Sequence, residues 1–171
     1  MGATTEVDEA ASGSSAPRLR RIVVGLDGSP NAAYALEWVI ALAARFDAEV
    51  VAVHAVGLLS SLGGGPPVPS HLHRAELRRA FEEQWCAPLR ASGVRYRARL
   101  VDGPPVLVLL RTVSEEDADA AVVGSRGIGG FAELLLGSTS HQLAEHSDRP
   151  VLIVPYRPAA GGTDAVPPPG G

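Results

Sequence analysis

The residues best placed to do chemistry stand in "VVGSRGIGGFAELLLGSTS" (Val122–Ser140), where an apolar run gives way to glycines at 124, 127, 129, 130 and 137. Glycine lets another group come close to the backbone N–H. The stretch then opens a helical pattern at Gly137-Ser138-Thr139, and the amides and dipole of a helix N-terminus attract an anion. A polyphosphate fits both features. A second polar group, Asp27, closes another apolar run, "RRIVVGLD" (Arg20–Asp27).

Composition narrows what these residues can do. The chain has 171 residues, a length suited to about one domain. Its net charge of −4 offers no basic field for nucleic acid or an anionic membrane. All 15 Lys+Arg residues are arginine. Walker A loops and Schiff-base enzymes, which both need a lysine, are thereby excluded. Cys86 is the single cysteine, so an internal disulfide and a CxxC site are excluded too. No signal peptide or membrane span is read, and a cytoplasmic protein is expected.

The elements that must position the glycines alternate along the chain. Residues 1–17 and 158–171 are expected to be disordered tails around one domain, 18–157. Arg20–Asp27 reads as a strand, and Ser29-Pro30 as the cap and first position of a helix running to Phe46. Ala48–Val56 is apolar on both faces, as in a buried parallel strand. A Gly/Pro-rich loop leads to a second helix, capped by Ser70, with the stripe Leu77, Phe81, Trp85 and Leu89; Pro88 should kink it and Gly93 end it. Val94–Val101 alternates, with Arg95, Arg97 and Arg99 on one solvated face, which suits a sheet edge. A third helix from Pro105 to about Glu116, a strand to Gly124, a helix over "STSHQLAEH" and a strand over "RPVLIVP" complete the pattern.

Such alternation predicts a single doubly wound α/β domain with a five-stranded parallel sheet. With the arginine-faced strand at an edge the order is 3-2-1-4-5, and strand order reverses between the first and fourth strands. Ligands bind at such a reversal, beyond the carboxyl ends of the strands. Asp27 and Gly124 then face each other across one crevice, and an adenosine would extend toward Asp27 and the end of the second strand.

Three rival readings compete. Gly127-x-Gly129-x-x-Ala132 matches a dinucleotide fingerprint, but it follows the fourth strand rather than the first and lacks the later acid. "GSTSH" lacks the second glycine of a nucleophile elbow. The third reading is that the glycines only turn the chain.

Gly124-x-x-Gly127-(nine residues)-Gly137-Ser138 resembles the ATP-binding signature of the universal stress protein family, G-x2-G-x9-G-[ST], at every position. "IVVGLDGSP", "VAVHAV" and "RPVLIVP" resemble other family segments, so the likeness runs from Arg20 to Pro155. It implies an adenine nucleotide alpha hydrolase-like fold. It further implies that Asp27 contacts the nucleoside, that Gly25 lies where the backbone passes close to the ligand, and that the Ala55 backbone addresses the adenine edge. Gly124, Gly127, Gly137 and Ser138 match the phosphate-binding set, flanked by Ser125, Arg126, Gly130 and Thr139. The implied ligand is ATP, with Mg²⁺ carried by its phosphates. The implied assembly is a homodimer through Val151–Pro155, and the implied role is a stress-response regulator with little or no hydrolysis. The alternatives are a slow nucleotide hydrolase or adenylyl-transfer enzyme on the same sheet, and a dimeric interaction module whose nucleotide site stays empty.

For the remaining polar residues the simpler readings are preferred. Asp27 could cap the turn before the first helix. His54 reads as a packed, hydrogen-bonded histidine. His71 with His73, and His141 with His146, do not share a face, so no metal site is expected. Cys86 reads as a small buried hydrophobe, and Trp38 and Trp85 as packing residues.

Overall fold

The computed structural model describes residues 18–57, 70–128 and 136–156, with the side chains of 70–73 left aside. Both tails, the Gly/Pro-rich loop, Gly130 and the Gly129 and Ala132 of the dinucleotide fingerprint lie outside the described residues.

The strands are β1 (Arg21–Gly25), β2 (Glu49–Val56), β3 (Tyr96–Asp102), β4 (Ala120–Gly124) and β5 (Val151–Val154). All pairings are parallel, in the order β3-β2-β1-β4-β5, as the alternation of elements predicts. The helices are α1 (Pro30–Phe46), α2 (Ser70–Arg79), α3 (Ala87–Ser92), α4 (Pro105–Glu115) and α5 (Ser138–His146), with a π-helical turn over Ala80–Trp85 between α2 and α3. Each face of the sheet carries its own core. Ile22, Val24, Val50 and Ala52 meet Leu36 and Val39 of α1, Phe81 and Leu89. On the other face Val23, Val51, Val53 and Val123 meet Val108, Leu109 and Val113 of α4 and Leu143 of α5. Odd and even positions along one strand thus feed opposite cores, as a two-unit side-chain period demands.

The expected second helix is broken into three pieces. Pro88 has no N–H, and its ring crowds the carbonyl four residues back. The chain responds by widening one turn: Cys86 N–H donates to the Phe81 carbonyl at 3.0 Å, five residues back. Arg90 then covers carbonyls of the widened turn, its guanidinium donating to Glu82 O at 3.2 Å and Glu83 O at 3.1 Å. Gly93, at φ +72°, ends α3 in the left-handed conformation.

β3 lies at an edge, but its arginines are not merely solvated. Arg97 donates to Glu49 Oε1 at 2.7 Å and to Glu116 Oε2 at 2.7 Å, and Arg99 to Glu116 Oε1 and Glu115 Oε2, each at 3.0 Å. The arginine face therefore ties β2 and β3 to the end of α4. Arg97, with Arg21 assisting, holds Glu49 below the ordinary carboxylate range, against a smaller opposing effect of burial. Trp38 is not a core residue: it is 49% exposed on α1.

Candidate functional site

The crevice forms where β1 and β4 end and their chains part. Backbone direction along β2 shows what opens onto it. Glu49 N–H donates to Arg20 O and Val53 C=O accepts from Leu26 N–H, both toward β1, whereas Val50 N–H donates to Arg95 O, toward β3. By this alternation the backbone groups of Ala55 point toward β1. The β1–β2 register stops at Gly25–Val53, two residues short of Ala55. The polar edge of Ala55 thus faces space that β1 has already left.

Asp27 sits at the mouth and is engaged twice. Its Oδ1 accepts from Ser29 N–H at 3.0 Å, the turn-capping contact, and its Oδ2 accepts from Ile128 N–H at 2.9 Å, across the crevice. Ser29 in turn caps α1, its hydroxyl accepting from Ala32 N–H at 3.1 Å. One lip thus grips the other through a carboxylate.

The glycines divide by what lies against them. A Cβ on Gly124 would fall 2.7 Å from the Asn31 carbonyl carbon and 2.8 Å from both its Cβ and its O. Gly124 is bare because α1 approaches there. A Cβ on Gly25 would meet Val123 at 3.2 Å and Leu109 at 3.3 Å, so α4 and β4 crowd that position. A Cβ on Gly127 would fall 2.4 Å from Asp27 Oδ2, so the carboxylate fills its place. Gly137 meets ordinary contacts at 3.4 Å.

Ser125 is buried and its polar groups are spent within the chain. Its hydroxyl donates to Asn31 Oδ1 at 3.1 Å, its N–H to Val154 O at 2.9 Å, and its carbonyl accepts from Gly137 N–H at 2.7 Å and from the Ser140 hydroxyl at 2.9 Å. These bonds dock the start of α5 onto the end of β4. Ser125 therefore braces the loop. Arg126 and Thr139 are half-buried; Gly127 and Ser138 are exposed. At its N-terminus α5 begins from Gly137 with no side-chain cap, in contrast to α1. The first amides of a helix have no partner within the helix and attract an anion.

Behind Asp27, Gly28 (φ +82°) lies against the Trp85 ring. Trp85 packs edge-on to His54 at 4.9 Å between ring centroids and to Phe81 at 6.0 Å. His54 Nδ1–H donates to the Leu26 carbonyl at 2.6 Å, which fixes the tautomer. Burial lowers the pKa of His54, against the opposing effects of that bond and of the Asp27 charge. Sequence reasoning missed Asn31, Ser140 and Ile128. Only Ser140 left a signal, as a hydroxyl three residues after the glycine that starts a helix.

The universal stress protein family profile matches residues 18–155. The chain belongs to that family. It is 34% identical over 145 residues to a universal stress protein of Bacillus subtilis, an alignment spanning 78% of this chain and 97% of the relative. A universal stress protein solved in complex with cAMP is 28% identical, with a TM-score of 0.62 over 80% of this chain and 97% of that one. The universal stress protein from Archaeoglobus fulgidus in complex with dAMP shares the fold, with a TM-score of 0.61 at 20% identity over 79% of this chain and 97% of the other. Among the described residues, no helix is long and apolar enough to cross a membrane.

Proposed function

We propose that this universal stress protein binds ATP in the crevice between β1 and β4 and acts as a nucleotide-dependent regulator in the cytoplasm. The observation that carries the reading is the N-terminus of α5, which starts at Gly137 and is bonded directly to the loop that starts at Gly124. The phosphates lie on the amides of Ser138 and Thr139 and along Gly127 and Gly130, beside Arg126, with Mg²⁺ carried by the phosphates. The adenine edge meets the Ala55 backbone, and Asp27 meets the ribose. The relative solved with cAMP supports an adenine nucleotide as the class of ligand.

Little or no hydrolysis is expected. The sequence holds no lysine to neutralise charge developing on the phosphates. His54 has its Nδ1 spent on a carbonyl and its ring packed against Trp85. Two copies pair through β5, the last strand in the sheet order, where Leu152 is 40% exposed.

Calorimetric titration of ATP with Mg²⁺ tests the reading, beside Ser138→Glu. Ser138 is exposed in the first turn of α5, where an acidic side chain suits the helix dipole. The variant should keep its fold while its carboxylate repels the phosphates. Micromolar binding to the wild type, weakened at least tenfold in Ser138→Glu, supports the site; wild-type binding no tighter than millimolar overturns it. Sustained phosphate release above about 1 per second would overturn the regulator reading.

A further inference from the structure

Two parts of the crevice that the nucleotide reading assigns to different parts of the ligand meet one another in this structure. Asp27, assigned to the ribose, has Oδ2 2.9 Å from the Ile128 N–H, on the loop assigned to the phosphates. The same oxygen lies 2.4 Å from where a Cβ of Gly127 would stand. It fills the hollow that the glycine leaves. A carboxylate oxygen accepting from a loop amide makes the contact that a phosphate oxygen makes. The acid is held in that pose from its other side, since Oδ1 takes the Ser29 N–H at 3.0 Å at the start of α1.

We propose that Asp27 is an internal anion that latches the glycine loop, so that a phosphate entering the crevice displaces it from the Ile128 amide and frees its carboxylate. The proposal rests on the nucleotide reading and adds a regulatory step to it. Ligand-free, the two lips are joined by this bond; liganded, the phosphates take over the loop and α1 keeps the acid. The latch also gives selectivity, because a neutral ligand reaching the crevice has nothing with which to replace a charged acceptor. A charge-assisted bond is stronger than a neutral one, so only an anion competes well for that amide.

The test uses the full chain, with amide exchange at Ile128 followed by NMR without ligand. Relative to wild type, exchange should quicken about ten- to hundredfold in Asp27→Ala. It should quicken less in Asp27→Asn, which keeps an uncharged acceptor and serves if the alanine variant fails to fold. Equal exchange in wild type and variants overturns the latch. Inorganic tripolyphosphate is then added to wild type. A shifted Ile128 amide on binding is expected, with tighter binding to Asp27→Asn; binding that leaves Ile128 unmoved overturns the displacement. Failure of the nucleotide reading looks different: neither ATP nor tripolyphosphate binds any form, while the ligand-free exchange still judges the latch.

Discussion

Gly124→Ala should cost far more stability than Gly127→Ala, although the two glycines stand three residues apart in one signature. The added Cβ at Gly124 would sit 2.7 Å from the Asn31 carbonyl carbon, roughly 0.7 Å inside ordinary contact, with Asn31 Cβ and O at 2.8 Å. None of these atoms is the end of a flexible side chain. The first turn of α1 must therefore move, although Ala32 and Ala35 beside it are packed at 4% and 0% exposure. Movement also stretches the bond from the Ser125 hydroxyl to Asn31 Oδ1, now 3.1 Å. Overpacking of this kind costs about 1–3 kcal/mol, and a weakened hydrogen bond about 1 more. For a chain of this length, 2–4 kcal/mol is a fall of about 5–15 °C in Tm. At Gly127, itself exposed, the obstacle is Asp27 Oδ2, the end of a rotatable, half-buried carboxylate. The acid swings aside, giving up its bond to the Ile128 N–H while that exposed amide turns to water, at a net cost of about 1 kcal/mol. Urea and thermal unfolding of both variants would check the order. A Gly124→Ala protein within about 0.5 kcal/mol of wild type, or one matched by Gly127→Ala, would refute the division into packing and loop glycines.

Three further outcomes follow from the same structure. His54 is held below its ordinary value of 6.5 mainly by burial; the unfolded chain thus takes the proton first, and stability present above about pH 6.5 is lost as pH falls below it. His54→Gln should lower stability at neutral pH yet flatten this acid limb in Tm measured from pH 7.5 to 5. Burial pushes the Cys86 thiol up to about 11, leaving roughly one molecule in a thousand as thiolate at pH 8. Reaction with a disulfide reagent should therefore be at least a hundredfold slower in the native protein than in urea. The proposed pairing through β5 is tested by Leu152→Arg, which should halve the mass measured by light scattering while leaving the fold intact.

The sheet order was legible because one strand differs from the rest. The apolar strands alternate with helices, which leaves a parallel sheet as their means of burial, and one strand alone carries alternating charge, at Arg95, Arg97 and Arg99. That placed β3 at an edge. The same alternation could not reveal what the arginines do there, because Glu49, Glu115 and Glu116 come from elements brought alongside only by folding. Trp38 misled for a different reason: its size suggests burial, whereas its helical phase falls well outside the buried stripe of Ala32, Ala35, Leu36, Val39 and Ala43.

The site was legible as a place but not in its division of labour. A spaced glycine signature records where a Cβ is unwelcome without recording what excludes it. At Gly124 the excluding group is the backbone of α1, and at Gly127 it is the carboxylate of Asp27. Ser125 stands between them, where spacing suggests a ligand contact, yet its hydroxyl is committed to Asn31 and its carbonyl to α5. These commitments have a consequence for ligand binding. Gly124, Ser125, Asn31 and Ser140 fix the start of α5 to the end of β4 before any ligand arrives, so the amides of α5 are aimed in advance. The loop beyond Ser125 is tied differently, with Ile128 bonded to the Asp27 carboxylate. A rigid half that presents amides and a latched half that can let go are what a site needs if occupancy is to change the surface it shows to others. The signature glycines thus serve two ends: Gly124 builds the fixed half, and Gly127 makes room for the latch on the movable one.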